Sequence, residues 1–181
     1  FCNDSCYFVD DVSGKVLKTE GVRAARKEEI EGVFKHNVFT KVPISECWSN
    51  TGQAPVSTKW VDINKGDDEN PDYRSRWVGR EFKGNDNDRD DLFAATPPLE
   101  AKKALLHLAA NQIGVPKQKF RKLGFIDIKK AYFHAKAKRL VYVDLPDEAL
   151  SPGEKGKVCG KLIYSLYGTR DAANNWEDTY A

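Results

Sequence analysis

The sequence predicts an α+β fold, an antiparallel sheet with helices packed against it, and three features carry that reading. Residues 22–37, VRAARKEEIEGVFKHN, set apolar Val22, Ala25, Ile30, Val33 and Phe34 at roughly helical spacing among Lys, Arg and Glu. Residues 56–64 and 73–83 are strand-like and flank the polar, turn-rich GDDENPD, which makes the pair a β-hairpin. Strand-like runs recur at residues 123–128, 142–145 and 158–164, after an Ala- and Leu-rich helical stretch.

The chain of 181 residues can bury a sizeable core, as one ordinary domain or two small lobes. Hydrophobic residues make up 40% and charged residues 31%, the balance of a soluble globular protein. No apolar run approaches the ~20 residues that span a bilayer, and no secretory signal is visible. The expectation is an intracellular protein, cytoplasmic or nuclear, with no membrane partner. The net charge of +2 is too small for a global basic field, so local charge matters more. Cys2, Cys6, Cys47 and Cys159 are too few and too scattered for a disulfide framework, and read as free thiols. Cys2 and Cys6 are half of a zinc site at most, with no second pair at ligand spacing to complete it. The chain begins at Phe1, has no Met and stops at Ala181 within a helical pattern, as expected for a fragment of a longer reading frame.

Taken in order, Phe8-Val9-Asp10-Asp11 precede the turn signal Ser13-Gly14. Adjacent aspartates suit a divalent cation, but a surface turn is the simpler reading. The helix over residues 22–37 has a solvated charged face, and residues 45–54 are expected to form a loop. The second hairpin arm, YRSRWVGREFK, places Arg74, Arg76 and Arg80 at even spacing, hence on one strand face. Guanidinium forks match phosphate oxygens, whereas a merely solvated face is the alternative. NDNDRDD lacks the Gly and Glu of a calcium loop at the required positions and is expected to be a solvated loop. Pro97-Pro98 lead into a helix over residues 99–113 whose apolar face is Leu105, Leu108 and Ala109. His107 on that helix has no partner at ligand spacing.

The most informative stretch is GFIDIKKAYFHAKAKRLVYVDLP. Leu123, Phe125, Ile126 and Ile128 have the character of a buried strand, and Asp127 falls inside it. A buried carboxylate needs a metal ion, a basic group or backbone N–H groups to offset its desolvation. Tyr132 and Phe133 follow so closely that a turn brings a ring and the carboxylate to one pocket. Tyr142, Val143 and Leu145 form another strand closed by Pro146, a loop runs through Ser151-Pro152-Gly153, and residues 158–164 form a strand of the same lobe. SLYGTRDAANNWEDTYA then places Gly168 ahead of a helix opening near Asp171.

Four strings, in this order, resemble the reverse transcriptase domain of Ty1/copia-type retrotransposons. STKWVDINKG and YRSRWVGREFK resemble the fingers segment, KW followed by a KARLVAKG-like arm. DIKKAYFHA and VYVDLP resemble the first palm motif, D-V-x-x-A-F-L, and the V-Y-M-x-x-P that follows it. YSLYGTRDAANNW resembles K-S-L-Y-G-L-K-Q-A-P-R-x-W. The resemblance implies part of a right-hand polymerase, with residues 1–21 as leader, 22–121 as fingers-like region and 122–181 as partial, incomplete palm.

It also implies roles. Asp127 matches the first metal-binding aspartate, which with a further carboxylate holds two Mg²⁺ ions. Tyr132 matches the ring under the nucleotide sugar that excludes ribonucleotides, with Phe133 beside it. Arg76 and Arg80 match basic fingers residues that neutralise triphosphate charge, and Gly168 matches a glycine near the templating pair. The implied partners are an RNA or DNA template-primer and a deoxynucleoside triphosphate; oligomeric state is not implied. The family's Gln, Pro and Arg are Asp171, Ala173 and Asn174 here, and an acidic Asp171 would repel phosphate. The Tyr-x-Asp-Asp hairpin carrying the other catalytic carboxylates is expected beyond Ala181. Phe8-Val9-Asp10-Asp11 has its letters, but a permuted palm fits poorly, because Ser-Gly-Lys follows without a second apolar arm. The alternative to a polymerase is a decayed or truncated, catalytically inactive fragment that at most binds nucleic acid.

Overall fold

A computed structural model describes residues 7–81, 98–111, 116 and 119–180. The loop expected over residues 85–91 lies outside them, as do Cys2 and Cys6. The described residues form a mixed helix and antiparallel-sheet structure: two hairpins, one three-stranded sheet and four helices.

The chain opens with a small hairpin, β1 (Phe8–Val9) against β2 (Val16–Leu17), so Phe8-Val9-Asp10-Asp11 does have a second arm, contrary to expectation. Its two aspartates serve the turn and the neighbouring strand. Asp10, 4% exposed, accepts from the backbone N–H groups of Val12, Ser13 and Asn64 at 2.8, 2.7 and 2.7 Å. Asp11 accepts from Asp62 N at 2.9 Å and from Lys59. The Asp10 carboxyl is held down to about 2 by the backbone N–H groups of Ser13 and Asn64, with burial opposing. A carboxyl lowered on folding stabilises the fold above its unfolded value of 3.8, and that stabilisation fades as pH falls towards about 2. Asp10→Ala should therefore lower the thermal midpoint at pH 7 and do so much less near pH 2, a difference that circular dichroism melts at the two pH values will measure.

Helix α1 (Thr19–Lys35) begins three residues earlier than its apolar pattern and buries Val22, Ile30 and Val33, while Phe34 stays 45% exposed. It ends where Asn37 takes a left-handed φ of 51°. Strand β3 (Phe39–Pro43) follows, and then helix α2 (Ile44–Thr51), where a loop is expected. Pro43 and Gly52 bracket α2, Gly52 as a left-handed C-cap with φ 66°, and Cys47 faces inward. The helix is short enough that one buried residue anchors it, which leaves no periodicity to read.

Strands β4 (Thr58–Asn64) and β5 (Tyr73–Gly79) form the anticipated hairpin, in register from Thr58–Gly79 to Asn64–Tyr73. Along β5, Ser75, Trp77 and Gly79 point inward and Arg74 and Arg76 outward. Helix α1 packs on this strand, with Arg26 reaching across to Asp62 at 2.6 Å. Strand β7 (Val158–Leu162) lies between β3 and β6 (Tyr142–Val143), and helix α1, the β4–β5 hairpin and the three-stranded sheet share a core that includes Ile30, Val33, Val38, Phe39, Trp77, Phe133, Val141, Val143 and Leu166. Burying each such side chain contributes on the order of 1.5–3 kcal/mol.

Two apolar segments do not join that core. Helix α3 (Leu99–Ala110) buries none of its residues, and Leu105 and Leu108 are 59% and 50% exposed. Residues 121–128 form no strand, and Phe125 and Ile126 are 85% and 84% exposed. The strand expected around Asp127 is thus an extended, unpaired segment, and Asp127 is exposed rather than buried. β-Propensity alone does not make a strand: the backbone needs a neighbour to bond and the side chains a surface to cover. Among the described residues nothing supplies either here. Helix α4 (Ala172–Tyr180) closes the chain, burying Ala172 and Asn175.

Candidate functional site

The turn after Asp127 is pinned although the segment before it is not. Lys130 takes a left-handed φ of 54°, rare for a residue with a side chain, and its ammonium meets the buried carboxylate of Glu29 on α1 at 2.9 Å. Phe133 N donates to Lys130 O at 2.9 Å and starts the 3-10 turn Ala131–His134. Phe133, 1% exposed, sinks into the core, which leaves the preceding Tyr132 half-buried at the surface. Phe133 therefore positions Tyr132 and has no surface of its own with which to touch a nucleotide.

Tyr132 stacks at a tilt on Tyr167, ring centres 5.0 Å apart, and Phe133 meets the same ring edge-on at 5.5 Å. Across the Tyr167 ring, on its approach to β5, the Arg76 guanidinium lies 5.7 Å from the ring centre. Burial pushes the Tyr167 hydroxyl above its ordinary value and the Glu29 charge adds to that, so the ring stays a neutral platform at physiological pH. Arg76, Tyr167 and Tyr132 thus link β5 to the turn that follows Asp127.

A backbone seam fixes that link. Gly79 N donates to Tyr167 O at 2.7 Å and Glu81 N to Gly168 O at 3.4 Å. Gly168 has φ +77°, and a Cβ there would fall 2.1 Å from the Gly79 carbonyl oxygen. Glycine is required at this position twice over, by its backbone conformation and by the close approach of β5.

Beside the seam lies an ion cluster that the sequence did not reveal. Arg139 donates to both carboxylate oxygens of Glu81, at 3.0 and 2.9 Å, and to Asp171 at 2.8 Å. Glu81 also accepts from Arg170 N at 2.9 Å, and Asp171 from Asn175 Nδ2 at 3.0 Å. Hydrogen bonding to Glu81, and then to Asp171, raises Arg139 above the ordinary guanidinium range against the cost of burial. For Asp171, burial works to raise the carboxyl, but the bonds from Arg139 and Asn175 outweigh it and the net shift is downward. The acidic departure at Asp171 is therefore neutralised internally and presents no bare charge. The signal that would have found the partner is the need of a buried acidic Asp171 for a cation, and Arg139, in the segment before β6, supplies it.

The structure brings Tyr132, Phe133, Arg76 and Gly168 together around Tyr167, and leaves Asp127 and Arg80 apart from them. Asp127 borders a cavity of about 290 Å³ with Ile126, Ile128, Ala131, Trp176 and Tyr180. Arg80 lies just past β5, facing another cleft of about 380 Å³ with Arg26, Lys59 and Asp144. Burial raises the Asp144 carboxyl there and the Arg80 charge draws it back. Among the described residues no group of three or more His, Cys, Asp or Glu side chains could enclose a metal ion. Asp127 itself suits a hard divalent cation, being an unshielded carboxylate at a cavity rim, and Mg²⁺ sites with one or two protein carboxylates completed by water and phosphate are common.

Residues 46–181, about three quarters of the chain, match the family model described as reverse transcriptase (RNA-dependent DNA polymerase). The chain belongs to the Ty1/copia-type reverse transcriptase family. The match covers α2, the β4–β5 hairpin and every element that meets at Tyr167 except Glu29 of α1. No curated protein and no solved structure is significantly similar to it. Reverse transcriptases of this family act on nucleic acid with divalent metal ions, and the mixed helix and antiparallel-sheet structure agrees with part of their fingers and palm. No helix among the described residues is long and apolar enough to cross a membrane.

Proposed function

We propose that these residues are the fingers and the first part of the palm of a retrotransposon RNA-directed DNA polymerase, working inside the cell on a template-primer and deoxynucleoside triphosphates. On this reading residues 1–21 are a leader, 22–121 fingers-like and 122–181 partial palm. The observation that supports it best is the line Arg76–Tyr167–Tyr132, which joins the fingers arm to the turn after Asp127. Arg76 offers a guanidinium to triphosphate oxygens, Tyr132 a ring to the sugar, and Asp127 a carboxylate to Mg²⁺. Bound there, two Mg²⁺ ions with a further carboxylate supply activation of the primer hydroxyl and charge stabilisation at phosphorus. Arg80, one cleft away, reaches the triphosphate only if the hairpin end turns, and Gly168 supports the site by holding Tyr167 rather than by a side chain.

Primer extension on poly(rA) tests the reading. In a complete polymerase containing these residues, Asp127→Asn should cut extension by at least about a thousandfold, the scale of losing one main electrostatic contact to the transition state. Template binding should change by no more than a few-fold. Normal turnover in that variant would remove Asp127 from the site. The absence of a strand around Asp127, over residues 122–128, favours the second reading, an inactive nucleic-acid-binding fragment, for these 181 residues alone, which should give no extension.

A further inference from the structure

We propose that Cys47 and Cys159 form a peroxide-oxidisable dithiol that closes to an intramolecular disulfide between α2 and β7. The two come from distant parts of the sequence, yet the fold makes them neighbours. Cys159 pairs in register with Val42 on β3, and the chain leaves β3 directly into α2, which folds back and sets Cys47 over Cys159. The two side chains and Tyr142 form a small buried cluster of their own, with Cys47 1% and Cys159 0% exposed.

Their surroundings assign an order to the chemistry. Cys47 borders a cavity of about 240 Å³, with Thr51, Gln53 and Tyr142 also in its wall, whereas Cys159 does not line it. The Cys47 thiol already donates to Gln53 O at 3.4 Å, so a polar substituent on that sulfur has an acceptor at hand. Burial, and next the adjacent Cys47, push the Cys159 thiol up to about 11, so Cys159 is the poorer nucleophile of the two towards an oxidant in the cavity. A hydroperoxide small enough for the cavity transfers oxygen to Cys47, forming Cys47–SOH and releasing water when the oxidant is H₂O₂. Cys159 then attacks the Cys47 sulfur, the S–S bond forms, and the sulfenic oxygen leaves as a second water with the Cys159 proton. Two thiols are oxidised and one peroxide O–O bond is reduced, and dithiothreitol reverses the result.

The test is peptide mapping of the whole chain after H₂O₂, with iodoacetamide blocking residual thiols. The expected product is an intramolecular Cys47–Cys159 peptide pair, lost on dithiothreitol treatment. In Cys159→Ser, Cys47 should stop at sulfenic acid and be captured by dimedone. Because mapping of the unsubstituted chain needs no folded variant, a folding defect in Cys159→Ser leaves the first measurement decisive. Repeating the oxidation with Cys2→Ser/Cys6→Ser removes the other two cysteines. Pairing of Cys47 with Cys2 or Cys6, or full alkylation of Cys47 and Cys159 at peroxide that oxidises free glutathione, would overturn the proposal.

Discussion

Arg139→Met should destabilise the chain by roughly 2–4 kcal/mol at pH 7, measured by urea unfolding. The substitution preserves most of the side-chain length but leaves Glu81 and Asp171 facing each other without a cation, with side chains only 17% and 8% exposed. Breaking one side of a buried pair costs about 3–5 kcal/mol, and the 28% exposure of Arg139 lowers the expected value through solvent screening. The pH dependence has a definite sign. Asp171 is held below the ordinary carboxyl value of 3.8, so its share of stability is present above that value and is lost as pH falls through the lower folded value. The gap between wild type and Arg139→Met should therefore narrow in acid, because protonating Asp171 removes the uncompensated charge. A triple variant with Glu81→Gln and Asp171→Asn should recover most of the loss at pH 7. A single variant as stable as wild type would show that the cluster carries no net stability.

Gly168→Ala should cost more than about 3 kcal/mol, and comparison with Gly14→Ala separates the two causes. Both glycines have positive φ, +77° and +71°, so each substitution bears the backbone cost of roughly 1–2 kcal/mol. Around Gly14 a new Cβ meets nothing within 4 Å, whereas at Gly168 it would lie 2.1 Å from the Gly79 carbonyl oxygen, a backbone atom fixed by β5. The excess at Gly168 measures what it takes to part the seam. Parting it also separates Tyr167 from Arg76, so loss of the Gly79 amide's hydrogen-exchange protection should accompany the destabilisation. Equal effects at the two glycines would mean that the seam yields without resistance.

The sequence made some elements legible because their signals are local. The β4–β5 hairpin is announced by two strand-like arms around a run of turn residues, and α1 by a sustained period of buried Val22, Ile30 and Val33. The strings that hold Arg76, Asp127, Tyr132 and Gly168 in order are continuous in sequence, and they suffice to indicate the family that matches over residues 46–181. What stayed hidden depends on distance. Helix α2 rests on one inward Cys47, too little for periodicity, and the Arg139 cluster joins residues 81, 139 and 171 from three connecting segments far apart in the sequence. The stretch at Asp127 was misread because its apolar residues state what kind of surface they would cover, whereas only a neighbouring strand decides whether they are covered. Nor did the spacing of Arg76 and Arg80 disclose that the end of β5 leaves Arg76 against the Tyr167 ring and turns Arg80 to a separate cleft.

The exposed stretch at residues 122–128 separates two quantities that are often measured as one. A cooperative unfolding transition reports on the units that bury surface together, here α1, the β4–β5 hairpin and the β3–β7–β6 sheet. Phe125 and Ile126 contribute almost nothing to that transition, because they are as hydrated before it as after it. A melting curve of this chain is therefore blind to the segment bearing Asp127. Variants there can leave the melting temperature untouched, so the role proposed for Asp127 has to be read from primer extension and not from stability.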